Sequence, residues 1–180
     1  MESISSQWGA KAAKFLVMAE WLSWQSPMRF KHGAVLVKNG KPIGKGYNCE
    51  RALFRRREIT SMHAEIMTLN RLNLSNTAGS SWALLDIIFN IDNWTILYTN
   101  SSFAFLGSDL YIVRSTETGL GNSKPCEDCL VILKRFKVKN VFYSTRKGIF
   151  KERVDDMVGY LQKHRPNQTY DRYVLQPKPP

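Results

Sequence analysis

Apolar residues recur along this chain in segments whose spacing predicts alternating helices and strands. Residues 5–25 carry an apolar stripe close to helical period, which predicts a first helix that ends before Pro27. Residues 33–37 are rich in strand-forming residues, and Asn39-Gly40 follows them. This dipeptide favours a tight hairpin turn, because both central residues of a type I′ turn need positive φ. Residues 42–47 are the predicted partner strand.

The rest of the chain predicts further helices and strands around that hairpin. A second helix is predicted to begin at His63, since apolar residues follow it at roughly helical intervals. Hairpin and β-α units together predict an α/β fold, a mixed sheet with helices on both faces. The other predicted segments are a loop at 50–58, a strand at 109–113, a loop at 116–122, a helix from Cys126, a strand at 138–143, a basic helix at 149–163 and an edge strand at 170–175.

An unusually apolar insertion lies at about 74–107, within a chain whose 180 residues predict a single domain spanning 1–180. Polar residues such as Asp86 and Asn90 interrupt its apolar runs, and no run approaches the roughly 20 residues that cross a bilayer. We therefore expect no membrane partner. We interpret the insertion as a subunit interface, which implies a homo-oligomer, or as a lid over a site; the alternative is an insertion whose folding the sequence does not determine.

His63, Cys126 and Cys129 are predicted to hold one metal ion. Two thiols three residues apart on a first helical turn point the same way, and Pro125 suits a helix start. One nitrogen and two sulfur ligands leave the fourth corner of a tetrahedron for water, which is typical of catalytic rather than structural zinc. Glu65 is not needed as a ligand, so it is predicted to carry protons to and from that water.

Two other interpretations of these residues are open. A structural zinc site would need a fourth protein ligand from Cys49, His32 or His164, and it would leave Glu65 without a role. A redox pair of the two C-x-x-C cysteines would explain neither His63 nor Glu65.

The segments His63-Ala64-Glu65 and Pro125-Cys126-x-x-Cys129 resemble the signature of the zinc-dependent cytidine and deoxycytidylate deaminase superfamily. The resemblance implies a three-layer α/β/α sandwich, Zn²⁺ as cofactor and hydrolytic deamination with Glu65 as the catalytic residue. It also implies substrate contacts from Asn48 and Ala64, although an asparagine at a strand end is often only a turn former. The 74–107 insertion is longer than the link that the family usually has there.

Basic residues exceed acidic ones, 26 to 15, which gives a formal net charge of +11. Such a surplus favours partners that carry phosphate, from a mononucleotide to a nucleic-acid strand, and the alternative is a solvated charged surface. Arg55, Arg56 and Arg57 immediately precede the metal-binding helix. Arg55 and Arg56 are predicted to bind a substrate phosphate, unless neighbouring glutamates pair with the cluster.

Three function classes remain compatible with the sequence. The first is a deaminase of cytosine nucleosides or nucleotides, of deoxycytidylate type. The second is a deaminase of cytosine or adenine in single-stranded DNA, RNA or tRNA. Residues 63–67 also resemble tRNA adenosine deaminases, but Lys124 replaces their glutamate. The third, a non-catalytic binding module, is disfavoured by the intact Glu65 and ligands. Three cysteines and no apparent secretory signal predict a cytoplasmic or nuclear protein.

Overall fold

A mixed six-stranded sheet is the centre of a computed structural model, which describes residues 5–54, 57–69 and 105–159. Its strand order is β2-β1-β5-β7-β8, and β6 pairs with β5. β3 and β4 form a separate antiparallel hairpin. The strands are β1 (Lys31–Lys38), β2 (Lys41–Tyr47), β3 (Cys49–Phe54), β4 (Arg57–Met62), β5 (Asp109–Thr116), β6 (Gly119–Gly121), β7 (Asn140–Thr145) and β8 (Gly148–Arg153).

Helices lie on both faces of this sheet in the described part of the chain. They are α1 (Ser5–Trp24), α2, which is described over residues 64–69, and α3 (Glu127–Arg135). On one face, Phe15 and Leu16 of α1 pack in a cluster with Val35 and Val113. On the other face, the buried residues of α2 and α3 pack with Leu36, Ile112 and Val141. The predicted three-layer α/β/α architecture is confirmed.

The parallel pair β5 and β7 determines where α3 begins. These strands are in register from Asp109↔Asn140 to Ile112↔Tyr143, and α3 lies between them in the chain. A connection between parallel neighbours must return along the sheet, so α3 starts near the end of β5. β6 pairs with the last residues of β5, from Arg114 to Thr116. The chain therefore enters α3 from the end of the sheet at which the carboxyl ends of β5 and β7 lie.

Two glycines allow helices to lie directly against the sheet. A Cβ at Gly33 would lie 2.1 Å from the carbonyl oxygen of Ala19 in α1. A Cβ at Gly46 would lie 2.7 Å from the backbone nitrogen of Thr68 in α2. A side chain at either position would therefore displace a helix, and Gly46 in particular sets the distance between β2 and the helix that follows His63.

Local sequence signals predicted several elements correctly. The turn between β1 and β2 has φ of 51° at Asn39 and 72° at Gly40, as a type I′ turn requires. α1, β1, β2, β5, α3 and β7 are confirmed close to their predicted positions. Helical residues 64–69 confirm the described part of the second predicted helix.

Three predicted assignments were wrong. Residues 148–153 form β8, paired antiparallel with β7, where the sequence predicted a helix over 149–163. The apolar spacing there fits a helix, but pairing with the open edge of β7 satisfies the backbone and buries Ile149. The predicted loop at 50–58 contains parts of β3 and β4, and the predicted loop at 116–122 contains β6. In both segments, polar residues form a strand because a neighbouring strand is available to pair with their backbone.

Other predictions lie outside the described residues. They are the strand at 170–175, the residues Arg55 and Arg56, and all but the last three residues of the 74–107 insertion. The single domain over 1–180 and the homo-oligomer stay predictions. Among the helices in the described ranges, none is long and apolar enough to cross a membrane.

Candidate metal centre

His63 lies at the junction between β4 and α2. Met62 pairs with Cys49 at the end of the β3–β4 hairpin, and the helical residues begin at Ala64. The backbone N–H of Met67 donates to the carbonyl oxygen of His63 at 3.0 Å, so His63 immediately precedes the first helical turn. The extended strand on one side and the helix on the other fix the direction of the imidazole.

Cys126 and Cys129 lie at the start of α3. Cys126 is the N-cap residue, its carbonyl oxygen accepts the N–H of Leu130 at 2.9 Å, and Cys129 lies in the first turn. Both cysteines are buried, with 7% and 2% of their surface exposed. The preceding loop is held by Ser123, whose hydroxyl donates to the carbonyl oxygen of Ile112 at 2.9 Å and whose N–H donates to that of Ser144 at 2.9 Å. The loop thus ties the cysteines to β5 and β7.

The three side chains converge with the geometry of a metal site. The Nδ1 atom of His63 lies 3.2 Å from the Sγ atom of Cys129 and 3.5 Å from that of Cys126. All three ligand atoms lie within 4.8 Å of one another. Tetrahedral zinc with Zn–N of about 2.0 Å and Zn–S of about 2.3 Å separates nitrogen from sulfur by roughly 3.5 Å. The donor set and its spacing therefore fit Zn²⁺.

The described residues offer no fourth ligand to this cluster. His63, Cys126 and Cys129 are the metal-binding group found among them, and neither His32 nor Cys49 belongs to it. His164, the remaining candidate for a structural site, lies outside the described ranges. Three protein ligands with one corner left over are the pattern of a catalytic zinc site.

Protons are unequally shared within the cluster when no metal is bound. A hydrogen bond from Cys129, assisted by His63, lowers the pKa of Cys126 to about 4. The same contact with Cys126, together with burial, raises the pKa of Cys129 well above its ordinary value. Burial alone would lower the pKa of His63, but Cys126 and Glu65 outweigh it and raise that pKa to about 9. At neutral pH these pKa shifts favour a thiolate at Cys126, a thiol at Cys129 and an imidazolium at His63 in the metal-free cluster.

Glu65 is a buried carboxyl group beside the ligands. Only 6% of its surface is exposed, and Ala64, which separates it from His63, is fully buried. Burial raises the pKa of Glu65, an effect that the charge of His63 opposes. A carboxyl group with a raised pKa can both accept and return a proton near neutral pH, which is what a general acid/base requires.

Asn48 has a structural role that places it next to the metal centre. Its Nδ2 donates to the carbonyl oxygen of Phe30 at 2.6 Å, and its Oδ1 accepts the N–H of His32 at 2.7 Å. Because Cys49 pairs with Met62, Asn48 and His63 leave the hairpin side by side. The amide retains one N–H and one lone pair for a further partner, so the predicted substrate contact stays a prediction.

Of the three clustered arginines, only the backbone of Arg57 is described, at the start of β4. Phe54 pairs with Arg57, and Met62 follows Arg57 by five residue steps along β4, which corresponds to about 17 Å along a strand. Arg55 and Arg56 connect the two strands in sequence and lie outside the described residues. That they bind a substrate phosphate therefore stays a prediction.

Sequence reasoning missed the contact between Arg114 and His32. Arg114 lies at the end of β5, and both its charge and that of His63 act on the imidazole of His32. Burial, with these charges, lowers the pKa of His32 to about 4, and its Nδ1 lies 3.1 Å from the carbonyl oxygen of Phe30. His32 is therefore neutral, and it pairs with Arg114 across β1 and β5. Only the strand register, which the sequence does not display, brings these residues together.

Residues 8–145 match the family described as cytidine and deoxycytidylate deaminase zinc-binding region. The match covers most of the chain, and the chain belongs to this family, which confirms the resemblance and Zn²⁺ as the cofactor. A comparison with curated proteins gave no match.

Solved structures of deaminases are similar to this chain, and the first of those below supports the fold. A cytidine deaminase from Burkholderia pseudomallei is 19% identical, with a TM-score of 0.50, over 79% of this chain and 92% of that chain. The dCMP deaminase of cyanophage S-TIM5 in apo form is 22% identical, with a TM-score of 0.44, over 72% of this chain and 79% of that chain. Its complex with dCMP and dUMP is 22% identical, with a TM-score of 0.43, over 71% and 76%.

Proposed function

We propose that this protein is a hydrolytic deaminase that converts the amine of a cytosine base to a carbonyl and releases ammonia. The observation that carries the proposal is a three-ligand His/Cys/Cys cluster with the buried carboxyl group of Glu65 beside it. A structural site would use its ligands without needing that carboxyl group, whereas a hydrolytic site needs a group that moves protons. Membership of the deaminase family supports the same reaction class.

Zn²⁺ held by His63, Cys126 and Cys129 would act as a Lewis acid that lowers the pKa of water towards about 7. Glu65 accepts the proton of the water that adds to C4 of the base and delivers it to the ring nitrogen N3. It then carries the hydroxyl proton of the adduct to the amino nitrogen, so that ammonia leaves and a carbonyl remains. Every proton transfer thus passes through one carboxylate, and burial keeps that carboxylate away from bulk water.

Asn48 and Ala64 are the proposed contacts to the substrate. Asn48 emerges beside His63 and has one donor and one acceptor left for a sugar or base, and the backbone of Ala64 lies between the ligand and the proton carrier. A deoxycytidylate-type mononucleotide is the first substrate class, with Arg55 and Arg56 as the phosphate ligands proposed from the sequence.

Product analysis tests the proposal directly. Purified zinc-loaded protein is incubated with cytidine, dCMP, dCTP, single-stranded DNA and tRNA, and ammonia and the deaminated base are measured. We expect turnover of at least one cytosine substrate and none with Glu65→Gln. Loss of an amine from none of the five, by protein with one zinc per chain, would instead favour the non-catalytic binding module.

A second candidate is a deaminase that acts on cytosine or adenine within a polynucleotide. A specific observation favours this candidate. Four cationic side chains line a groove at the end of the sheet from which the chain enters α3. A mononucleotide needs few of these charges, whereas a strand needs several.

A further inference from the structure

We propose that a single-stranded nucleic acid binds in the groove between the β5–β6 hairpin and the β7–β8 hairpin. We call it the basic groove; its volume is about 1040 Å³, and the residues that carry the argument are Arg114, Lys124, Tyr143, Arg146, Lys147 and Phe150. The inference rests on the proposed function, because it names the polymer in which the target base is presented.

The lining of the basic groove is cationic and lacks carboxylates. Its twelve lining residues include two arginines and two lysines but no aspartate or glutamate. Lys124 forms an ion pair with Glu152 at 3.1 Å, which orients its ammonium group. Arg146 and Lys147 are exposed in the β7–β8 turn, and no carboxylate in the described part of the chain pairs with either. These two residues can therefore meet phosphates without first breaking an ion pair.

Exposed aromatic rings border the same cations. Phe150 is 43% exposed and stacks on Tyr143 with ring centroids 5.9 Å apart. Phe30 is 55% exposed, and the guanidinium carbon of Arg114 lies 4.5 Å from its ring centroid. Surfaces that bind single strands combine cations along the backbone with flat groups on which bases stack. A site for one phosphate would need neither the extent of the groove nor two exposed rings.

The basic groove is adjacent to the metal centre. Asn122 and Lys124 line the groove on the loop that continues directly to Cys126. On the side of β1, His32 pairs with Arg114 of β5, and its N–H donates to Asn48, which leaves the β3–β4 hairpin beside His63. A strand whose phosphates lie along the groove would therefore pass beside the ligands and could present one unstacked base to Glu65.

The test is the binding of a fluorescein-labelled 15-nucleotide single-stranded DNA to the full-length protein, measured by anisotropy between 50 and 200 mM NaCl. Each phosphate contact contributes about −0.7 to the slope of log affinity against log salt. Four contacts predict a slope of about −2.8, so affinity should fall about 50-fold over this range. Arg146→Ala/Lys147→Ala should bind more weakly, with a slope of about −1.4 and a fall of about 7-fold.

Matched variants separate the groove from general charge. Lys41→Ala/Lys45→Ala removes two exposed charges from β2, the strand at the opposite edge of the sheet, and should leave the slope unchanged. Phe150→Ala should weaken binding without changing the slope, because stacking releases no counterions. Thermal melting confirms that each variant is folded, as expected for exposed side chains.

Equal slopes for the wild type and the Arg146/Lys147 variant, or an oligonucleotide that binds no more tightly than dCMP, would overturn the inference. Deamination is measured separately, so the two proposals can fail separately. Turnover of dCMP without strand binding in the groove would leave the proposed function intact and remove the inference. Strand binding in the groove without deamination of any base would support the inference and refute the proposed function.

Discussion

The unequal sharing of protons among three ligand residues determines how this protein takes up its metal. Zinc binds neutral imidazole and thiolates. The pKa of Cys126, about 4, already provides one thiolate at neutral pH. Cys129 and His63 hold protons there, since hydrogen bonding and burial raise the pKa of the thiol and the neighbouring negative charges raise that of the imidazole to about 9.

We therefore predict that zinc uptake by metal-stripped protein releases about two protons near pH 7. A raised pKa means that His63 stays protonated below about pH 9, so zinc affinity should rise steadily as pH increases from 6 to 9. Competition with a chromogenic chelator gives the affinity, and a pH indicator in weak buffer counts the protons. Affinity that does not change over this range would contradict the prediction.

Removing one ligand sulfur should remove the metal. Cys126→Ser replaces a thiolate with a hydroxyl that stays protonated, and metal analysis should find the bound zinc lost. Cys49→Ser is the matched control, since Cys49 lies outside the ligand cluster, and it should keep one zinc per chain. Full zinc occupancy of the Cys126 variant would refute the ligand assignment.

Glu65→Gln should keep the fold and the zinc but lower kcat by roughly 10²- to 10⁴-fold or more, because an amide cannot carry protons. Glu20→Gln, on α1 across the sheet, should leave kcat unchanged. The assay uses whichever cytosine substrate the wild type turns over. If the Glu65 variant were as active as the wild type, another group would have to be the proton carrier.

At the scale of elements, the contact between β2 and α2 connects the sheet to the metal centre. Gly46 faces Thr68 so closely that a Cβ would lie 2.7 Å from its backbone nitrogen. Thr68 is further fixed by its hydroxyl group, which donates to the carbonyl oxygen of Ala64 at 2.7 Å. α2 cannot shift relative to β2 without moving the residues that follow His63.

Gly46→Ala should consequently reduce both stability and zinc affinity. Overpacking of this kind costs about 1–3 kcal/mol of unfolding free energy, and the displaced helix should loosen His63. Gly40→Ala is the control. Because Gly40 has a φ of 72°, the substitution should cost roughly 1 kcal/mol of unfolding free energy. A Cβ at Gly40 would meet no other atom in the β1–β2 turn, so zinc affinity should not change. Urea unfolding and chelator competition measure the two quantities; a Gly46 variant indistinguishable from wild type would refute this account.

The elements differ in how well the sequence predicts them. The type I′ turn at Asn39-Gly40 and the helix that starts at Cys126 have strong local signals, and both are where the sequence placed them. β8 was missed because its apolar residues also fit a helix, and only the free edge of β7 decides between the two. The hairpin of β3 and β4 was missed because its polar, arginine-rich strands resemble a loop.

The same limit applies to the candidate site. The cluster of His63, Cys126 and Cys129 was predictable because short spacings and a recognisable signature mark it, and the role of Glu65 stays a prediction. The basic groove was not, because Arg114 and Arg146 lie on different hairpins that only the register of β5, β6, β7 and β8 brings together. Sheet pairing at long sequence separation is the information that a single sequence does not display.

At the scale of the whole molecule, charge and function are connected. Four of the 26 basic residues line one groove, so part of the net charge of +11 is concentrated beside the metal centre. A concentrated field of this kind raises the rate of encounter with an anionic partner, and salt screens it. The steep salt dependence predicted for strand binding would measure this concentration of positive charge in the groove.

The metal ligands also have a topological consequence. Because His63 and Cys126 are 63 residues apart in sequence, a bound zinc ion closes the intervening chain into a ring. By analogy with a disulfide, closing a ring of this length lowers the conformational entropy of the unfolded chain. The loss raises the free energy of the unfolded state by about 4 kcal/mol. That quantity depends on the logarithm of ring size, so ten residues added within the segment at about 74–107 would change it by only about 0.1 kcal/mol. A long insertion can therefore evolve between His63 and the two cysteine ligands with little loss of stability.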